Sequence, residues 1–141
     1  MNFCWEDYHD LACELANEHC PAKKRTSINR SYYSAYCVAR DFLIDNQTYL
    51  NKKNKEIINS KSSKAHNEVN RVFHELYQVH KKGNKKIGYE IYLRLNRLRN
   101  KRNIVDYELD ESDLNMPNLK SEAEKCILDS KYVLNNLDKF L

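Results

Sequence analysis

Two glycines and two prolines in 141 residues leave this chain few places to turn sharply. A sandwich or barrel of short strands needs turn residues roughly every 8–12 positions, where glycine supplies positive φ and proline pre-sets the corner. Leu, Ala, Lys and Glu, all well represented here, lose little conformational freedom in a helix. The expectation is an all-α fold, with one domain over residues 1–141, long enough to bury a single core. Helical spacing of apolar residues then divides the chain into an up-and-down bundle of about five helices.

The first helix is expected from Phe3 to about Cys20, with Asn2 as N-cap, Pro21 as stop, and a stripe of Trp5, Tyr8, Leu11, Ala12 and Leu15. Thr26 or Ser27 can cap a second helix running to about Asp45 through Ile28, Tyr32, Ala35, Tyr36, Ala39, Phe42 and Leu43. Small residues between its aromatics let a neighbouring helix approach closely, so its tyrosines are expected in the core with their hydroxyls at the edge. Gln47 to Ser62 is rich in Asn and Lys, has no sustained period beyond Ile57-Ile58, and reads as a long mobile connection. Ser62 or Ser63 caps a third helix whose stripe is Ala65, Val69, Val72, Phe73, Leu76 and Val79, ending at Gly83. His66 falls in its first turn, where the helix dipole disfavours the imidazolium and a neutral, structural histidine is expected. A fourth helix is expected from about Lys86 to Val105 with Ile87, Ile91, Leu95 and Leu98 inward. Asp110 to Pro117 reads as an acidic loop, and a last helix starts at Asn118 with the stripe Ala123, Cys126, Ile127, Ser130, Val133, Leu134 and Leu137.

Charge is unevenly spread along this frame. The net charge of +4 decides nothing alone, but Lys81 to Arg102 holds nine Lys and Arg against Glu90, whereas Asn103 to Glu124 holds seven acids against Lys120. Five cations, Arg94, Arg97, Arg99, Lys101 and Arg102, fall within nine residues of the fourth helix. Guanidinium forks match phosphate, and Asn100 and Asn103 add neutral donors and acceptors on the same helix. Two readings are open: a solvated basic face with an acid near its end, or an anion-binding surface.

Five cysteines at irregular spacing, without a Cys-x-x-Cys pair, point to reduced thiols rather than a disulfide framework. His9, Cys13 and Cys20 can share a helix face, but a fourth zinc ligand would have to come from far away, so small buried thiols are the expectation, with no metal and no cofactor. No stretch reaches the length of a membrane span, and the first twenty residues hold Glu6, Asp7 and Asp10 without a Lys or Arg, unlike a leader. A cytoplasmic protein without membrane contact is expected.

Arg30-Ser31-Tyr32-Tyr33-Ser34-Ala35-Tyr36, then His66 with Val69 and Phe73, then Leu98-Arg99 leading to Val105-Asp106-Tyr107 and a long closing helix, together resemble the HEPN superfamily. The nearest likeness is to its small stand-alone prokaryotic branch, with Tyr-Tyr-x-Ala, His-x-x-Val and Arg…Asp-Tyr elements in that order. The resemblance spans nearly the whole chain and implies a dimeric helical protein. Relatives act as metal-independent endoribonucleases in toxin-antitoxin or anti-phage systems, or bind nucleotides, nucleotidyltransferase partners or other proteins. It makes Arg99, Asn100, Asp106 and Tyr107 the catalytic candidates and Arg30, Arg94, Arg97, Lys101, Arg102 and Asn103 the phosphate or RNA contacts.

Nucleolytic members leave four to six residues between the Arg and a following His; here, with six residues between, that place goes to Asp106, and no His follows His80. A carboxylate with an ordinary pKa near ~4 is ionised at neutral pH and cannot protonate a leaving 5′-oxygen. Asp106 is therefore expected to pair with Arg99, Arg102 or Arg30. Binding of RNA or a partner without efficient catalysis comes first. The alternative is an endoribonuclease in which Arg99 and Arg102 hold the phosphate, Asn100 positions it, Tyr107 aids proton transfer, and the ribose 2′-hydroxyl attacks to leave a cyclic phosphate. A homodimer with the fourth helices near its axis, and a cognate antitoxin or nucleotidyltransferase, are the expected partners.

Overall fold

The computed structural model describes residues 2–46, 50–60, 62–79, 83–107 and 118–140. It is an all-α bundle of six helices: α1 (Glu6–Ala16), α2 (Pro21–Asp45), α3 (Lys52–Asn59), α4 (Lys64–Val79), α5 (Gly83–Tyr107) and α6 (Asn118–Asn136), closed by a 3-10 turn at Leu137–Phe140. No strand occurs among the described residues. The expected acidic loop at Asp110–Pro117 lies outside them.

α2 is the central element, packing on α1, α5 and α6, while α4 packs on α5 and α3. Its inward face is built from the residues the spacing picked out: Ile28, Tyr32, Ala35, Tyr36, Ala39 and Leu43 are all buried. The small residues let backbones approach, and Ser27 Oγ donates to the Ala12 carbonyl at 2.7 Å across the α1–α2 seam. Opposite it, α4 buries Val69, Val72, Phe73 and Leu76, each worth about 1.5–3 kcal/mol of apolar burial for a side chain of that class. α5 contributes Ile91, Leu95, Leu98 and Val105, and α6 contributes Ala123, Cys126, Ser130 and Val133.

Several boundaries differ from the sequence expectation, beginning with α1, which opens at Glu6 instead of Phe3. α1 stops at Ala16, and Pro21 opens α2 instead of ending α1, standing in its first turn where a missing N–H costs nothing. The turn between them is fixed by Lys24, 1% exposed, whose Nζ donates to the Ala16 carbonyl at 2.6 Å and places a cation at the C-terminus of α1. The stretch expected to be a mobile connection contains α3, set by a capping box: Asn51 Oδ1 accepts from the Asn54 N–H at 2.8 Å and Asn54 Oδ1 from the Asn51 N–H at 3.1 Å. Asn54 also donates to buried Glu68 on α4, tying α3 down where Ile58 supplies the apolar contact. Gly83, expected to end α4, opens α5, while α4 itself ends at Val79.

Candidate anion-binding site

Tyr32 and Tyr33 are adjacent on α2 with Tyr36 one turn on, His66 stands in the first turn of α4, and Arg99 and Arg102 stand one turn apart on α5. The packing of α2 against α5 and α4 brings all six together. The His66 ring stacks on Tyr36 with centroids 4.0 Å apart and planes 8° from parallel, lies 5.7 Å from Tyr32, and meets the edge of Tyr33 at 6.4 Å. Tyr32 hydroxyl and His66 Nδ1 are hydrogen-bonded. Burial raises the Tyr32 phenol above its ordinary pKa, so it keeps its proton and donates to Nδ1, leaving a proton on Nε2.

The same surroundings keep the imidazole neutral. Burial first, then the positive charges of Arg99, Arg102 and Arg40, push His66 down to about 4. The helix-dipole argument from sequence thus reached the right charge state, while the dominant cause is burial among rings. Tyr36 is pushed up to about 12 by burial.

The arginines lie against this aromatic wall. The Arg102 guanidinium is 5.1 Å from the Tyr32 ring centroid, 5.5 Å from Tyr33 and 5.8 Å from Tyr107, distances at which ring quadrupoles attract a cation. Arg102 Nη1 is 3.5 Å from the Tyr107 hydroxyl, and Arg99 Nη1 donates to Asn67 Oδ1. Among the described residues neither arginine has a carboxylate within ion-pair distance.

The other cations of the basic stretch are differently placed. Arg94 pairs with Glu90 and Asp129, Arg97 with Asp129 at 2.7 Å, and Lys101 with Glu122 at 3.0 Å. These three, expected as phosphate contacts, sit between α5 and α6 with their charge met by acids. Arg30 lies 4.5 Å over the Tyr8 ring. Asn100 is exposed and Asn103 half-buried. The expected pairing of Asp106 with an arginine is not formed among the described residues: its carboxylate accepts from Asn29 Nδ2 at 2.8 Å. The adjoining groove of about 460 Å³ is lined by Arg25, Thr26, Asn29, Arg30 and Asp106. Tyr107, 73% exposed at the end of α5, is free to meet solvent or a ligand with one face of its ring.

His66, Tyr32 and Asn67 are the members of this cluster that sequence reasoning assigned to structure alone or passed over. The available signal was three tyrosines at i, i+1 and i+4 on one helix, with a lone histidine downstream. His9 and Cys13, the start of the zinc alternative, do come together, Sγ to Nε2 at 3.8 Å, and His9 Nδ1 lies 3.0 Å from Ser130 Oγ. Among the described residues no group of three or more His, Cys, Asp and Glu is arranged around a common point, and all five cysteines are free thiols. No helix among the described residues is long and apolar enough to cross a membrane.

The chain matches no family model, no curated protein and no solved structure.

Proposed function

We propose that this protein is a HEPN-like binder of single-stranded RNA that grips a phosphate with Arg99 and Arg102 and lacks efficient catalysis. The observation that carries the reading is the partitioning of cations on α5: Arg94, Arg97 and Lys101 are met by acids, while Arg99 and Arg102 face an aromatic and imidazole wall with no carboxylate among the described residues within ion-pair distance. An anion with aromatic bases attached satisfies both features, because phosphate completes the guanidiniums and bases stack on Tyr107 or Tyr33. A homodimer, and a role in a toxin-antitoxin or anti-phage system beside a cognate protein, belong to the same proposal through the resemblance of the Tyr-Tyr-x-Ala, His-x-x-Val and Arg…Asp-Tyr elements.

The nuclease alternative, expected to run through Arg99, Asn100, Asp106 and Tyr107, gains one further candidate group, His66, whose pKa the charge of Arg99 helps to lower. Against it stands the protonation state: with a pKa pushed down to about 4, His66 holds too little acid form at neutral pH to protonate a leaving oxygen, and the Asp106 carboxylate accepts a hydrogen bond from Asn29.

The test is fluorescence anisotropy with a short unstructured RNA over a salt series. Arg99→Ala or Arg102→Ala should weaken binding by tenfold or more, and each should lower the salt slope by about 1. Arg97→Ala, whose charge is already met by Asp129, should change little. Equal losses in all three variants would mean diffuse attraction to a basic surface and would remove the site. Incubation of the same RNA with chelator and gel analysis decides the alternative: a cyclic-phosphate product that disappears in His66→Ala would replace binding with cleavage.

A further inference from the structure

One end of the bundle carries a cleft of about 600 Å³ where the segment before α1, the last turns of α2 and the close of α6 meet. That volume falls within the about 300–1,000 Å³ typical of small-molecule sites. Val38, Phe42, Leu134 and Leu137 give it an apolar floor. Trp5 forms a wall, its ring meeting Phe3 edge-on at 5.1 Å and its indole N–H donating to Asp41 Oδ2 at 3.0 Å. Phe3, at the rim of the same cleft, stays 56% exposed.

Among the described residues every charged side chain that lines the cleft is an acid: Glu6, Asp41, Asp45 and Asp138. Asp41 is already matched, since its other oxygen accepts from Arg40 Nη2 at 2.9 Å. For Glu6, Asp45 and Asp138 no Lys or Arg among the described residues lies within ion-pair distance. Asp45 closes α2, whose last turn holds no basic residue, so its charge adds to the negative end of the helix dipole. It also stands one turn from Asp41, a like charge at i, i+4. Both effects deepen the negative potential over the cleft, and a bound cation relieves both. The chain as a whole carries +4, so general attraction of cations to its surface does not account for this feature.

The spacing of the acids selects the kind of cation. Among the described residues no three acids, histidines or cysteines surround a common point, so a compact metal ion has no cage of oxygen ligands here. The acids stand instead on three separate segments with apolar surface between them. Asp41 and Asp45 are one helix turn apart, a separation of about 5–6 Å between Cβ atoms. A matching ligand sets its ammonium groups apart by short methylene runs of comparable length, so that the charges reach the rim while the methylenes cover Phe42 and Leu137. We infer that this cleft binds an aliphatic polyamine. The inference stands apart from the RNA-binding reading, because the cleft shares no residue with the Arg99 and Arg102 site.

Trp5 is the sole tryptophan of the chain, so its emission reports on the cleft directly. Spermidine added to wild type at low salt should change that emission along a saturable curve, with the same midpoint by calorimetry. Asp45→Asn and Asp138→Asn, both at exposed positions that leave the fold in place, should each weaken binding by about two- to fivefold, the range of an exposed ion pair, and the double variant by about tenfold. Glu124→Gln, which removes an exposed acid of α6 outside the cleft, should leave binding unchanged. Butylamine, with one charge, and magnesium, with two at a single point, should each bind about tenfold more weakly than spermidine. Equal weakening in Glu124→Gln, or magnesium displacing spermidine at equal concentration, would mean diffuse counterion attraction and overturns the inference. Absence of a saturable spermidine signal also overturns it, and a signal then obtained with a lysine-rich peptide would make the cleft a partner-protein surface instead.

Discussion

Replacing Arg102 with methionine should stabilise the protein while abolishing the RNA binding proposed for it. Arg102 is 8% exposed, its Nε is buried without an acceptor, and no carboxylate among the described residues balances it. Desolvating a cation costs several kcal/mol in a real protein. The return comes from Tyr32 and Tyr33 at 5.1 and 5.5 Å, each worth about 1–2 kcal/mol when water is excluded. The Tyr107 contact, on an exposed ring, adds less. Arg99 beside the same rings opposes it with like charge. These contributions leave the folded state near balance or slightly strained by the charge, so Arg102→Met, which keeps the apolar stem, should raise stability by about 1–2 kcal/mol. With a urea slope of about 2 kcal/mol/M for a chain of this size, the midpoint should rise by roughly 0.5–1 M. RNA anisotropy on the same sample should show at least a tenfold loss. A midpoint that falls by more than about 0.5 M would show that the guanidinium anchors the fold. Its lack of a carboxylate would then carry no information about a ligand.

Further outcomes follow from the same geometry. Because His66 titrates near 4 in the folded chain and at 6.5 when unfolded, the unfolded state binds the extra proton between those values. Stability should therefore be complete above about pH 6.5 and decline as pH falls toward 4, and His66→Gln should flatten most of that slope. His9, lowered by burial, contributes in the same direction, so a residual slope is expected, and urea midpoints across this pH range measure both. Asn51→Ala removes the capping box of α3 and should cost about 1 kcal/mol, read as faster amide exchange confined to residues 52–59. Asp106→Asn touches only an exposed hydrogen bond to Asn29, so thermal unfolding should move by less than about 0.5 kcal/mol; a loss of about 1–3 kcal/mol would restore Asp106 as the partner of a buried cation.

The helical frame was readable because its determinants are local. Scarcity of Gly and Pro excludes most sheets, and the stripes of α2 and α4 are continuous enough to name their buried faces residue by residue. Boundaries were harder, since Pro21 can end one helix or begin the next, and the choice is made by Lys24 reaching the Ala16 carbonyl. α3 escaped notice because little of it is apolar: it buries Asn54 and Ile58 and owes its start to paired asparagine side chains, a pattern that composition alone assigns to a loop. His66 reads as structural in the sequence because its partners, Tyr32 and Tyr36, lie far upstream in the chain and the α2–α4 contact joins them.

The basic stretch shows the same limit in a form that bears on function. Five cations in nine residues look like one binding surface, yet a helix turns by 3.6 residues and distributes them to different neighbours. Arg94, Arg97 and Lys101 meet Glu122 and Asp129 of α6, far downstream in the chain, and their charge is largely spent before any ligand arrives. Arg99 and Arg102 point instead toward α2 and α4, whose facing residues are tyrosine, histidine and asparagine. Binding capacity is the charge left unneutralised after folding, not the charge counted along the chain. On that argument the acids of α6 set the boundary of the proposed site as firmly as its arginines do, and the α2–α4–α5 junction is where an anion would be directed, because it is the part of this helix where folding has supplied no negative partner among the described residues.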